Sequence, residues 1–160
     1  MAKYKINGYA KKPEYNLSKR SCPIEYIVIH YTGGTGSAYN NVRYFRSGDR
    51  QASADFFIDD DSIWRFNPNV RKHYSWHCGD GHGKYGITNA NSIGIEVVSN
   101  GEDFSAEEIK RLRFLVMKMM DRYNIPKSNV VRHYDASRKE CPAPYIDREK
   151  WQKLKAKIVK

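Results

Sequence analysis

The chain has 160 residues, in which Lys and Arg outnumber Asp and Glu by 28 to 18 for a formal charge of +10. That length holds one domain able to bury about two-thirds of its unfolded surface without disulfide staples, and three cysteines are too few for a disulfide scaffold. No apolar h-region opens the chain and no run of eighteen apolar residues occurs in it, so a chain made in soluble form, with no signal peptide and no membrane insertion, is expected. The excess of cations points to a polyanionic partner (nucleic acid, an acidic membrane surface or an anionic cell wall) or to a basic surface that only maintains solubility.

Residues 1–20 are polar, basic and tyrosine-bearing, and Pro13 breaks any helix, so an arm lying over the surface is expected. From Pro23 the segment IEYIVIHYTGG is a nearly continuous apolar run, rich in β-branched and aromatic residues and stopped by Gly33 and Gly34. It predicts a buried strand emerging into a loop. His30 lies at the mouth of that strand, either as a satisfied structural residue or as one member of a site. Ala38, Val42 and Phe45 recur at helical spacing between Ser37 and Ser47, with Gly48 as the expected C-terminal cap. ASADFFIDDDSIWRF then reads as two strands joined at Asp59 to Ser62, with Phe57 on one arm and Ile63 and Trp64 on the other.

In VRKHYSWHCG, residues 70–79, Tyr74 and Trp76 alternate with His73, Ser75 and His77, as in a short strand or extended loop. The glycine-rich GDGHGKYG that follows is an exposed loop with His82 at its tip. NSIGIEVVSN resumes the buried-strand pattern, yet Glu96 stands inside it between Ile95 and Val97. A carboxylate buried there is costly unless it is paired or at work. Glu96 is therefore at the exposed end of the strand, paired with an arginine, or functional. Ser105 to Tyr123 predicts an amphipathic helix with a Ser105–Glu108 capping box and a stripe through Ile109, Leu112, Leu115, Val116, Met119, Met120 and Tyr123. A short strand around residues 129–132 and a last helix, capped by Asp147 and turning Trp151, Leu154 and Ile158 inward, complete the chain. Strands alternating with helices predict a single α/β domain, a mixed sheet flanked by helices, in which distant strand ends converge.

Between the last two elements lies VRHYDASRKECPAP. A histidine and a cysteine a few residues apart, here His133 and Cys141, serve either as two zinc ligands or as base and nucleophile. Joined by His30 they make a three-ligand set that leaves a fourth position open, as a catalytic zinc requires. Glu96 is then the candidate proton acceptor, and Lys139 the candidate cation for a developing oxyanion. Taken alone, Lys139 reads equally as a solvated loop cation beside Arg138. The other arrangement is a cysteine hydrolase using Cys141, His133 and Asp135.

Five ordered segments, IVIHYTGG, ASADFFIDDDSIWRF, SWHCGDGHG, NSIGIEVV and RHYDASRKECPAP, spread from about Ile24 to Tyr145. In these the chain resembles the zinc-dependent N-acetylmuramoyl-L-alanine amidases of the phage-lysozyme and peptidoglycan-recognition-protein type, especially the catalytic domains of phage endolysins. The resemblance implies an amidase-like α/β domain with His30, His133 and Cys141 as zinc ligands, Lys139 assisting at the carbonyl and Glu96 as the catalytic acid. It also implies a substrate groove bordered by His77, with Trp76, Tyr31 and Asp55 as further substrate contacts. The segment SADFFID departs from the pattern. Other members carry Tyr or His near the places held here by Ala54 and Asp55, so the catalytic tyrosine of one branch has no counterpart and more weight falls on Glu96.

The implied activity is cell-wall lysis by cleavage of the amide between N-acetylmuramic acid and L-alanine. The expected partners are peptidoglycan and anionic wall polymers, not nucleic acid, because the aromatics are not interleaved with the Lys and Arg clusters in any recognisable motif. A monomer, released to the wall by lysis or a holin-like route and carrying no visible wall-binding domain, completes the expectation. A noncatalytic wall-recognition module is the rival from another class, although such modules tend to lack the ligand held here by Cys141.

Overall fold

The computed structural model describes residues 4–159. In chain order it contains β1 (Ile6–Gly8), β2 (Leu17–Lys19), β3 (Tyr26–Tyr31), α1 (Ala38–Arg46), β4 (Phe56–Ile58), β5 (Ile63–Arg65), β6 (His73–Ser75), β7 (Ser92–Val97), α2 (Ala106–Tyr123), β8 (Val130–Arg132), α3 (His133–Ser137) and α4 (Arg148–Ile158). The two longest apolar runs form the centre: β3 and β7 pair in parallel, with His30 opposite Glu96. β8 adds to β3, and β4 to β7, both in parallel. β5 runs antiparallel to β4, and β1 parallel to β5, giving the order β1-β5-β4-β7-β3-β8. β2 and β6 form a separate antiparallel pair.

Period-two alternation then sorts the side chains by face. Ile27, Ile29, Ile93, Ile95 and Val97, with Phe56, Ile58 and Ile63, point to one side, where they pack against Leu112, Leu115 and Val116 of α2 and Trp151, Leu154 and Ile158 of α4. Each such side chain contributes about 1.5–3 kcal/mol by leaving water. The opposite face is divided between small clusters: Phe57 packs with Ala38, Val42 and Phe66 under α1, and Val28 with Cys78, Ile87 and Ala136. His30, Gly94 and Glu96 alternate onto this second face, between the clusters.

The capping box of α2 forms as its sequence predicts: Ser105 Oγ accepts from the Glu108 amide at 3.1 Å and the Glu108 carboxylate accepts from the Ser105 amide at 2.8 Å. Three expectations are corrected. The described part of the N-terminal arm is not a loose cover: it supplies β1 and β2, Asn16 is 1 % exposed, and the Arg20 guanidinium donates to the Val70, Ala90 and Ser92 carbonyls. Two three-residue strands, each with one apolar residue, are too short to show as periodicity. Residues 1–3 lie outside the described part. α1 is closed by Ser47, whose hydroxyl donates to the Tyr44 carbonyl, and not by Gly48. Finally, the His133 stretch is not all loop, because His133 opens the short helix α3.

Candidate metal centre and active-site cleft

His30, His133 and Cys141 converge, although 111 positions separate the first from the last. All three are at most 5 % exposed, and one ligating atom from each lies within 4.8 Å of the others. Cys141 Sγ is 3.7 Å from His30 Nδ1, and the two imidazoles meet edge to face with centroids 4.7 Å apart. Burial holds both histidines below their ordinary pKa, against the pull of Asp80 in the case of His133, and pushes the Cys141 thiol up to about 12. Neutral imidazoles are what a metal requires, and a coordinating metal deprotonates a thiol outright.

Hydrogen-bond direction decides which imidazole nitrogens are free. The Thr88 carbonyl can only accept, so the Ser92 hydroxyl donates to it. Ser92 Oγ then accepts from His77 Nε2 at 2.9 Å. His77 Nδ1 is left to accept from His30 Nε2, also at 2.9 Å. Burial lowers the His77 pKa to about 3, which keeps the relay neutral. Its outcome is that His30 keeps a lone pair on Nδ1, the nitrogen facing Cys141. On the other side, His133 Nε2 donates to Asp80 Oδ1 at 2.7 Å, which likewise leaves its Nδ1 free. A set of two imidazole nitrogens and one sulfur, with second partners fixing both rings, fits a zinc site with an open position.

Two glycines make room for these second partners. A Cβ on Gly94 would stand 2.5 Å from His77 Cγ, so only a bare backbone lets that ring lie across β7 to reach His30. A Cβ on Gly81 would stand 2.4 Å from the Ala136 carbonyl oxygen, so the turn bearing Asp80 can press against α3 and reach His133. Asp80, Ser92 and Thr88 were not legible as site residues. The sole signal was the density of glycine around Asp80.

Glu96 shares the cleft, of about 300 Å³, with the triad, Tyr31, Phe45, Trp76 and Lys139. Its Oε1 is 4.0 Å from His30 Nδ1, and its buried Oε2 has no hydrogen-bond partner. Burial raises its pKa to about 8, and the Lys139 charge opposes that rise. Neither expected structural explanation holds: the side chain is 19 % exposed and no arginine pairs with it among the described residues. Arg138 is turned away, with its guanidinium 3.9 Å from the centre of the Tyr85 ring, and Lys139 is left as the loop cation over the cleft.

Of the other expected substrate contacts, Tyr31, Trp76 and His77 line the cleft, with Trp76 held by its indole N–H on Ser18 Oγ at 2.8 Å. Both ring nitrogens of His77 are occupied by His30 and Ser92, so it braces His30 from within the groove wall. Asp55 is corrected: it is fully buried beneath the sheet, accepting from Asn67 Nδ2, Ser75 Oγ and the Gly94 amide, each at 2.8 Å. It is a strut for β7 with no oxygen left for a substrate. The cysteine-hydrolase arrangement is not assembled either. Asp135 is bound to the Arg132 guanidinium and amide, Asp80 takes its expected place on His133, and a thiol with a pKa near 12 is a poor nucleophile.

Three buried side chains that can hold a metal ion lie beside an unpaired carboxylate over one face of a mixed α/β sheet. The chain belongs to the N-acetylmuramoyl-L-alanine amidase family (Amidase_2), whose model matches residues 20–144. It is 35 % identical over 154 residues to the N-acetylmuramoyl-L-alanine amidase XlyA of Bacillus subtilis (strain 168), an alignment covering 94 % of this chain and 48 % of that protein. The solved catalytic domain of XlyA superposes with a TM-score of 0.81 at 31 % identity, covering 97 % of this chain and 99 % of the other. AmiD of E. coli, solved in complex with the substrate anhydro-N-acetylmuramic acid-L-Ala-D-γ-Glu-L-Lys, superposes with a TM-score of 0.63 at 26 % identity, covering 85 % and 58 %. The chain spans about half the length of the curated relatives it matches.

Proposed function

We propose that this chain is a zinc amidase that hydrolyses the amide between the N-acetylmuramic acid lactyl group and L-alanine in peptidoglycan. The observation that carries this is the convergence of His30, His133 and Cys141 to within 4.8 Å beside an unpartnered Glu96, in a chain of the amidase family. Zinc held by these three residues supplies Lewis acidity toward the scissile carbonyl and makes water a better nucleophile near neutral pH.

The remaining steps belong to the protein. Glu96 takes the proton of the attacking water and returns it to the leaving amine. Burial raises the pKa of this carboxyl group, which favours its holding the proton between the two transfers. Lys139, over the same cleft, places its ammonium against the charge that develops on the carbonyl oxygen. Tyr31 and Trp76 supply walls for a sugar-peptide strand. No helix among the described residues is long and apolar enough to cross a membrane. The +10 charge draws the protein to the anionic wall on which we place its action.

The test is digestion of purified cell wall with and without a chelator, scoring new N-terminal alanine against new reducing sugar. Alanine termini alone, lost with chelator and restored by Zn²⁺, are expected. Reducing ends would refute the bond assignment, and resistance to chelation would refute the metal. Cys141→Ser should lose both zinc and activity, whereas Glu96→Ala should keep zinc and lose about 10²–10⁴ in kcat. Lys139→Ala should lose about 10²–10³ in kcat with the fold intact.

A further inference from the structure

On the sheet face opposite the cleft a second cavity, of about 440 Å³, opens between β1, β5 and the C-terminal half of α2. Alternation puts it there: Ile63 enters the core beneath α2, so Arg65, two residues on, leaves β5 on the same side. The lining includes Arg65, Arg71, Lys118 and Arg122 and no carboxylate, and none of it is shared with the catalytic cleft. Like charges around one cavity repel each other, yet among the described residues none of the four is in an ion pair. Arg65 Nε has no hydrogen-bond partner and is buried against β1, where a Cβ on Gly8 would stand 2.6 Å from it, so it is the remaining edge of the guanidinium that is offered to the cavity. Arg20 and Arg132, by contrast, have guanidinium groups spread over carbonyl or carboxylate oxygens. The Asn67 side-chain oxygen is turned to its own loop, accepting from the Asn69 amide at 3.1 Å. Ile6, Phe56, Met119 and Tyr123 complete the wall with apolar surface.

From four cations without an ion-pair partner around one cavity that holds no carboxylate, we infer that this is a binding site for a phosphodiester segment of an anionic cell-wall polymer. Guanidinium forks match the paired oxygens of a phosphate group, and the apolar wall accommodates the carbon backbone between two phosphates. The inference rests on the wall-hydrolase reading and extends it. With its anchor and its cleft on opposite faces of one sheet, the protein holds a wall polymer behind while cutting a peptide in front.

Co-sedimentation with purified wall, before and after hydrofluoric acid strips its phosphodiester polymers, tests the site. Stripping should weaken wild-type binding by about tenfold or more, and the double variant Arg65→Gln/Arg122→Gln should bind intact wall no better than wild type binds stripped wall. Arg71→Gln/Lys118→Gln, confined to the exposed rim, should lose binding in the same sense and guards against a folding effect of Arg65. Arg43→Gln/Arg148→Gln, an equal charge change at exposed positions outside the cavity, should change binding by less than about twofold. Wild-type binding that survives stripping, or a control that loses as much as the cavity variants, overturns the inference. So does a DNA oligonucleotide held as tightly as the wall polymer with the same dependence on the four residues, and so does full displacement of wall by inorganic phosphate at concentrations near the polymer's own. Release of the alanine-terminated peptide from a soluble muramoyl-peptide should be equal in wild type and cavity variants. Failure of wild type in that assay counts against the amidase reading alone.

Discussion

At the scale of single residues, the site depends on hydrogen bonds made behind it. The relay Thr88–Ser92–His77 passes a hydrogen-bond direction to His30 and thereby decides which of its nitrogens can hold a metal. His77→Phe keeps an aromatic ring of similar size and removes both ring nitrogens. Zinc affinity, measured by competition with a chromophoric chelator, should fall about 10–100-fold while the metal-free protein stays folded. His77→Gln, which can still accept from His30, should recover part of the loss. Unchanged affinity in His77→Phe would show that His30 is oriented by packing and not by the relay.

At the scale of elements, what was legible follows from run length and what was hidden follows from distance in sequence. β3 and β7, each six residues and apolar on one face, declared themselves, and Glu96 stood out because it broke a buried pattern. β1 and β2, three residues each, gave no periodicity, and α3, five residues, gave no helical stripe. Asp55 was misplaced because its partners Asn67 and Ser75 lie 12 and 20 positions away, on segments whose approach to it is a property of the folded chain. Gly94 belongs to this scale as well, since it is a gap in a strand that a side chain from another element must fill. Gly94→Ala should cost about 1–3 kcal/mol in denaturant unfolding through overpacking against His77. In the double variant Gly94→Ala/His77→Ala that stability should return while zinc affinity does not. A neutral single substitution would contradict the close approach of His77 to β7.

At the scale of the whole molecule, the sheet separates two chemistries, with α2, α4 and the basic cavity on one face and the triad on the other. Because a metal bound to the native triad does not bind the unfolded chain equally well, it should act as a folding ligand. Free zinc at a hundredfold over its Kd adds about 2.7 kcal/mol of apparent stability. The expected reading is a thermal midpoint that rises with zinc, returns with chelator, and does not move in Cys141→Ser. An equal shift in that variant would place the metal elsewhere.

The 111-position separation of His30 and Cys141 also has a consequence in time. During synthesis β3 leaves the ribosome well before β8, which pairs beside it, and before the segment that carries His133 and Cys141. A domain whose decisive contacts join its beginning to its close folds late, after the entropy of a long loop has been overcome. A partly made chain therefore holds His30 without its two partners, and the cluster of His30, His133 and Cys141 arises only after the segment bearing the last two has been made.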